Sequence, residues 1–289
     1  MKSVLRLLML ALLLSGTILA QTTYSFQTVD VPGQSNTQVR GINNLGTTVG
    51  IYTDSNTGLY RGFERDSNGG FKHIDFPGGG ASKQTYPRSI NKAGQVVGFV
   101  IDSAGVIHGF LLGSGGFKQL DYPGSVATAA RGLNDRGQIV GDWGDVNNVN
   151  IHGYVYSQRQ FASFDFPGAI ATTCFGINNA GERVGAYTKD NVNTYSFLLR
   201  NGTFKSFRVP GSTDTEILAV NNYGVAVGFY FDSSSGTNHG FILSNGTMTH
   251  VDVPGSRSTL VRGINDAGVI VGNYGDAGFV DHGFIGIPQ

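Results

Sequence analysis

Almost everything that catalysis and metal binding draw on is scarce in this chain of 289 residues. A single cysteine, Cys174, excludes an intramolecular disulfide and leaves no cysteine cluster for a metal. Cys174 stands at a strand position that other parts of the chain fill with small or apolar residues, so it reads as a buried, inert thiol. Glu64, Glu182 and Glu216 are the only three glutamates, and no close carboxylate pair stands out. The motifs G-x-S-x-G and H-E-x-x-H and a phosphate-cradling loop are missing. Catalysis needs an oriented constellation of groups, and none is identifiable, so no catalytic residue is assigned. Charged residues make up 14% with zero formal net charge, which removes the basic footprint a nucleic-acid partner requires. No stretch after Gln21 has helical periodicity, and no linker or break in composition divides residues 21–289. That excludes a helical body and a second domain.

Glycine is abundant instead: 44 residues, about twice the usual share. These glycines recur at fixed positions because the sequence repeats itself. A D-x-P-G step places prolines at Pro32, Pro77, Pro123, Pro167, Pro210 and Pro254, a period of 43 to 46 residues. An I-N-x-x-G step keeps the same beat through Asn43, Asn91, Asn134, Asn178, Asn221 and Asn265. A third marker, usually H-G-F, is centred on Gly62, Gly109, Gly153, Ser196, Gly240 and Gly283. Each unit holds four short runs rich in β-branched and aromatic residues, separated by turn residues. Four strands in about 44 residues match a β-propeller blade.

The chain opens, after its first segment, in a fourth run (residues 26–30) and stops after a third run at His282. The N-terminal strand is therefore expected to complete the last blade and remove two exposed sheet edges. The fold expected is all-β: a six-bladed β-propeller of four-stranded blades, one domain over residues 21–289, closed by its N-terminal strand. Residues 1–20 read as a secretory signal peptide: Lys2 and Arg6 lead an apolar run from Leu7 to Leu14, and Ala20 precedes Gln21. The run is too short to span a membrane, so no anchor is expected after processing.

Within the repeat, asparagine supports the turn between the first two strands, and Gly46, Gly94, Gly137, Gly181, Gly224 and Gly268 take its left-handed position. Glycines inside the second and third strands, such as Gly50 and Gly109, permit close backbone approach. Thr37, Thr85, Thr128, Thr172, Thr215 and Thr259 occupy one position in all six units. Three residues on lies a slot holding Arg40, Arg88, Arg131, Phe175, Leu218 and Arg262. Its arginines either line an axial channel and attract an anion, or pair with the D-x-P-G aspartates Asp30, Asp75, Asp121, Asp165 and Asp252. The pairing is the expected reading, because each unit with an arginine has its aspartate, and the unit carrying Arg208 and Leu218 has neither.

His108, His152, His239 and His282 share one position, with Arg61 and Tyr195 in the other units, and are expected to brace the blade by hydrogen bonding. No metal site is assigned. Asn/Gly-rich acidic loops (54–58, 102–105, 142–150, 190–193, 232–236) resemble part of a calcium loop but lack its distal glutamate, a weak signal. Beside them Tyr52, Trp143, Tyr187, Tyr230 and Tyr274 either pack inside the fold or offer faces to sugar rings. Trp143, with Asp142, is the candidate ligand-binding exception because its flanks are long and polar. The second crossover, residues 78–85, is longer than the others.

The phrases RGINNLGTTVGIY, HGFLL, FKHIDFPG and RGINDAGVIVGNY resemble the HAF repeat family of bacterial extracellular repeat proteins, over residues 24–286. That resemblance implies export and repeat architecture and carries no activity or catalytic residue. The expected function is a secreted, monomeric, non-catalytic binding propeller for a glycan or an extracellular protein, with no cofactor. An envelope or matrix structural protein, and a hydrolase or lactonase using the axial channel, are the alternatives.

Overall fold

The computed structural model describes residues 23–78, 83–146, 150–190 and 192–289. The expected signal peptide lies outside the described residues, as do 79–82 of the long crossover and 147–149 and 191 of the acidic loops.

The described residues are all β, with no helix, so none is long and apolar enough to cross a membrane. After β1 (Tyr24–Val29), the chain forms antiparallel meanders. The first holds β2 (Ser35–Ile42), β3 (Thr48–Thr53), β4 (Tyr60–Arg65) and β5 (Phe71–Ile74). The second holds β6 (Gln84–Ile90), β7 (Val96–Ile101), β8 (Ile107–Gly113) and β9 (Gly116–Leu120). The third holds β10 (Ala127–Leu133), β11 (Ile139–Gly144), β12 (Ile151–Ser157) and β13 (Gln160–Phe164). The fourth holds β14 (Ala171–Ile177), β15 (Arg183–Thr188), β16 (Thr194–Arg200) and β17 (Thr203–Phe207). The fifth holds β18 (Asp214–Val220), β19 (Ala226–Asp232), β20 (Thr237–Ser244) and β21 (Thr247–Val251). The last holds β22 (Ser258–Ile264), β23 (Ile270–Gly275) and β24 (Asp281–Pro288). Its fourth strand is β1, paired antiparallel to β24 from Tyr24 opposite Pro288 to Val29 opposite Gly283.

The core lies between successive meanders. The residue after the third-strand marker is Phe63, Phe110, Tyr154, Phe197, Phe241 or Phe284, and each is fully buried. Each such ring is worth about 1.5–3 kcal/mol of transfer free energy. One apolar cluster joins Val39, Tyr52 and Phe63 of the first meander to Val271 and Ile285 of the last. Glycine makes room for these rings. A Cβ on Gly50 would sit 2.8 Å from the Phe63 ring and collide with the Gln38 carbonyl, so the second strand has no space for a side chain there.

The turn chemistry repeats unit by unit. Asn43 Oδ1 accepts the backbone N–H groups of Leu45 and Thr47, each at 3.0 Å, and Gly46 closes the turn at φ 81°. The amide of each such asparagine then donates to the backbone carbonyl of the next: Asn43 to Asn91, Asn91 to Asn134, Asn134 to Asn178, Asn178 to Asn221 and Asn221 to Asn265. Asn265 returns the circuit to the Asn43 carbonyl at 3.3 Å. The repeated threonine is equally regular. Thr37 Oγ1 accepts the Val31 N–H, and its five counterparts accept the same N–H of their own D-x-P-G steps. It thereby staples the crossover between meanders to the strand that follows.

Candidate functional site

The innermost strand of every meander carries a β-bulge at the arginine slot. Register slips between Val39 and Gly41, Pro87 and Ser89, Ala130 and Gly132, Cys174 and Gly176, Ile217 and Ala219, and Val261 and Gly263. The residue skipped each time is Arg40, Arg88, Arg131, Phe175, Leu218 or Arg262. A bulge leaves one residue unpaired and re-aims its side chain, and here all six line a common axial chamber of about 420 Å³. Glu216, Thr173 and Leu260, each two residues earlier in its own inner strand, line the same chamber with Phe229. Beyond the bulges the axis continues as cavities of about 100 and 70 Å³, the last lined by the asparagine circuit. The wide chamber thus lies toward the crossover side and narrows toward the asparagine turns.

The chamber is not six-fold. Arg262, Arg40, Arg88 and Arg131 occupy four consecutive meanders, and Phe175 and Leu218 the remaining two. Their satisfaction differs as well. Arg131 makes a two-pronged ion pair with Asp142, whose charge outweighs the cost of burial and raises the arginine pKa. Arg262 Nε donates to Asn273 Oδ1 at 2.5 Å, and Arg40 Nη2 to Gln38 Oε1 at 2.5 Å. Asn273 and Gln38 both donate onward to Asp281, at 3.1 and 2.6 Å. Arg40 Nε is buried without a partner. Arg88 forms no hydrogen bond or ion pair among the described residues; its Nε is buried and its guanidinium lies 5.0 Å over the Phe99 ring.

Burial, and then repulsion from neighbouring arginines, holds the pKa of Arg40 and Arg88 well below the usual range. Burial brings Arg262 down to about 10 against the pull of Glu216 and Asp281. Glu216 moves the other way. Burial first, then the charge of Asp214, pushes its carboxyl up to about 7 against Arg131, Arg262 and Arg88.

The expected Asp–Arg pairs are not what the aspartates form, and this corrects the sequence reading. The D-x-P-G aspartates follow the outermost strand, three strand spacings or roughly 14 Å from the innermost one. They meet the third strand instead. His282 Nδ1 bonds Asp30 at 2.9 Å, His108 bonds Asp121 at 3.0 Å, His152 bonds Asp165 at 2.9 Å and His239 bonds Asp252 at 2.7 Å. Arg61 lies 4.0 Å from Asp75. Where the histidine slot holds Tyr195, the aspartate slot holds Arg208, stacked 5.0 Å over the tyrosine ring and bonded to its hydroxyl. The loss of aspartate in that unit therefore goes with the loss of histidine, not of arginine.

The rim aromatics join the same network. Tyr52, Val100, Trp143, Tyr187, Tyr230 and Tyr274 stand directly across from Arg61, His108, His152, Tyr195, His239 and His282. Tyr274 stacks on His282 and Tyr230 on His239. Tyr52 and Tyr187 are buried, bonded to His73 and Ser206, with Tyr187 lying flat on Phe166 at 3.6 Å. Trp143, the expected exception, stacks on Tyr122 at 4.2 Å and 1° and on His152 at 4.6 Å, while its Nε1 donates to Ser163. Its faces are occupied by the fold, so it is no free platform. Asp142, expected in a surface loop beside it, lies in β11 and holds Arg131.

Four of the acidic loops are Asx turns, capped by Asp54, Asp102, Asp190 and Asp232. Asp102 Oδ1 accepts the N–H groups of Ala104 and Val106 at 2.8 Å, and those bonds hold its carboxyl below the usual range. Among the described residues no group of three or more His, Cys, Asp or Glu is placed to hold a metal ion. Cys174 is fully buried, and burial pushes its thiol up. Sequence reasoning passed over Glu216, Gln38, Phe229, Leu260, Asn273 and Asp281. The visible signal was the slot two residues before the arginine, which holds Gln38, Glu216 and Leu260 in different units.

No protein-family model matches the chain, and no curated protein sequence matches it. Solved structures do. A catalytically inactive virginiamycin B lyase from Staphylococcus aureus, solved with quinupristin, is 13% identical, over 91% of this chain and 99% of that one, at TM-score 0.51. The fucose-recognising lectin of Aleuria aurantia, described as a six-bladed β-propeller, is 12% identical over 86% and 91%, at 0.54. TolB from Acinetobacter baumannii is 13% identical over 90% of this chain and 65% of that one, at 0.58. At such identities likeness speaks to architecture alone, and the architecture is a β-propeller.

Proposed function

We propose that this chain is an exported, non-catalytic binding protein of the HAF repeat type, a closed six-bladed propeller that takes an anionic ligand in its axial chamber. The asparagine circuit and the β1–β24 pairing support closure, and the residue 1–20 pattern supports export. The observation that carries the binding reading is Arg88: a deep-set guanidinium with no carboxylate or carbonyl partner, among three other arginines. Its Nε is shut off from water without a partner, which is costly, and an incoming anion supplies a partner to the half-buried guanidinium. Binding of neutral sugar at the aromatic rim is the less supported reading, because the rings of that rim pack on neighbouring histidines and aromatic rings of the fold.

The test is calorimetric titration of the purified protein with sodium acetate and with inorganic phosphate, in wild type and Arg88→Gln. Saturable binding weakened roughly tenfold or more in the variant is expected, the loss of one charge-assisted bond. Binding of equal strength in both proteins would remove the chamber from the reading.

A further inference from the structure

Two arcs of unlike chemistry face each other across the chamber. One is the run of four arginines. The other is mainly apolar: Phe175 and Leu218 at the two remaining bulges, flanked by Phe229 and Leu260, with Thr173 and Glu216 two residues nearer the crossover side of the same two strands. Six-fold repetition would have placed arginine at both bulges, since the slot holds it in four units. The exchange for phenylalanine and leucine falls in adjacent meanders, so it makes a continuous face and not scattered gaps.

Charge balance narrows the choice of anion. Against four guanidinium groups stand Asp142, which is taken up by Arg131, Asp281, which is held through Gln38 and Asn273, and Glu216. One cation is left over when all three carboxylates are ionised, and two while Glu216 keeps its proton, as at pH 6, so a guanidinium is free for one carboxylate in either state. Size narrows it further. A chamber of about 420 Å³ falls within the ~300–1,000 Å³ of small-molecule pockets, and the narrowing toward the asparagine circuit suits a molecule that enters from the crossover side.

We infer that the ligand is a small amphipathic monocarboxylate, its acid group set against Arg88 and its neighbours and its aromatic or aliphatic body against Phe175, Leu218, Phe229 and Leu260. This rests on the chamber being an anion site and adds what the other half of that ligand is. The carboxylate meets Arg88 through charge-assisted hydrogen bonds, and the body removes the apolar arc from water. Neither an inorganic anion nor a neutral hydrocarbon uses both arcs.

The experiment is calorimetric titration at pH 6 with 4-phenylbutyrate, its neutral amide and acetate. The proteins are wild type, Leu218→Arg and Phe175→Asn, each checked for cooperative unfolding by circular dichroism. Leu218→Arg installs the residue that four equivalent slots already carry, so the fold accommodates it. In wild type, phenylbutyrate is expected to bind roughly tenfold or more tighter than acetate, and likewise tighter than the amide. Leu218→Arg is expected to cut the advantage over acetate to within about threefold while acetate itself binds no more weakly; Phe175→Asn acts in the same direction. Acetate binding as tightly as phenylbutyrate in wild type would overturn the amphipathic ligand and leave the anion site standing. Absence of binding by acetate and phenylbutyrate alike would overturn both.

Discussion

The two ends of the axis are built from the same strands and treated oppositely. At the narrow end six asparagines close a circuit in which each amide has its carbonyl and each turn its cap. At the wide end the six equivalent bulge positions hold four arginines, a phenylalanine and a leucine, and the hydrogen bonds run out before the guanidinium groups do. A satisfied six-fold ring serves the fold. A broken ring with a half-buried guanidinium whose Nε has no partner costs the fold something, and the proposed anion is what would offset that cost.

The largest effect is expected at the narrow end. Asn134→Ala removes the amide that reaches the Asn178 carbonyl and the oxygen that caps Arg136 and Gln138. About 3 kcal/mol of stability should be lost in urea unfolding, as buried groups are stranded. Anion affinity should move less than twofold. A comparable loss of affinity would merge the two ends into one functional unit.

Glu216→Gln sharpens the contrast from the other end. A free glutamate ionises near 4.5, but Glu216 holds its proton up to about 7. Its stabilising contribution is thus complete below about 4.5 and is lost as pH rises through 7. The glutamine variant lacks that loss, so its stability relative to wild type should grow across this window and then level. Acetate affinity of the wild type should fall as pH rises through 7, when a carboxylate appears beside Arg131, Arg262 and Arg88, and the variant should show a flatter profile. Identical profiles would place Glu216 outside the ligand's field.

The smallest effect concerns the outer network. Tyr195→His alone sets a histidine against Arg208 and should cost about 1 kcal/mol, and Arg208→Asp alone, which also removes the bonds to the Ser212 carbonyl and Asn193, about 2 kcal/mol. The double variant restores the pair seen at His152 and Asp165 and should cost less than the two single variants together. Additive costs in this cycle would show that the two slots are not coupled.

Sequence periodicity exposed the strands, the turns and the strand that completes the last meander, because each depends on residues at fixed local spacing. Gly46 and Asn43 announce their turn within five residues. The reach of Asn265 to Asn43 across the whole chain has no local signature. Nor do the bulges, since every unit inserts the same extra residue and keeps the beat. The arginine slot was visible, but its partner was misread. Arg208 and Leu218 depart from the pattern in one unit, and sequence alone could not show that Tyr195, across the sheet, was the true correlate. Trp143 looked exposed because polar residues flank it, whereas Tyr122 and His152 come to it from other strands.

The central claim is that Arg88 is kept for a ligand and not for the fold, and the unfolding free energy of Arg88→Met in dilute buffer tests it most directly. With no hydrogen-bonded carboxylate to lose, and with repulsion from Arg131 and Arg262 larger than the attraction of Asp142 and Glu216, the variant should be as stable as wild type or up to about 1 kcal/mol more stable. Destabilisation by about 2 kcal/mol or more would make Arg88 a structural residue and contradict the account.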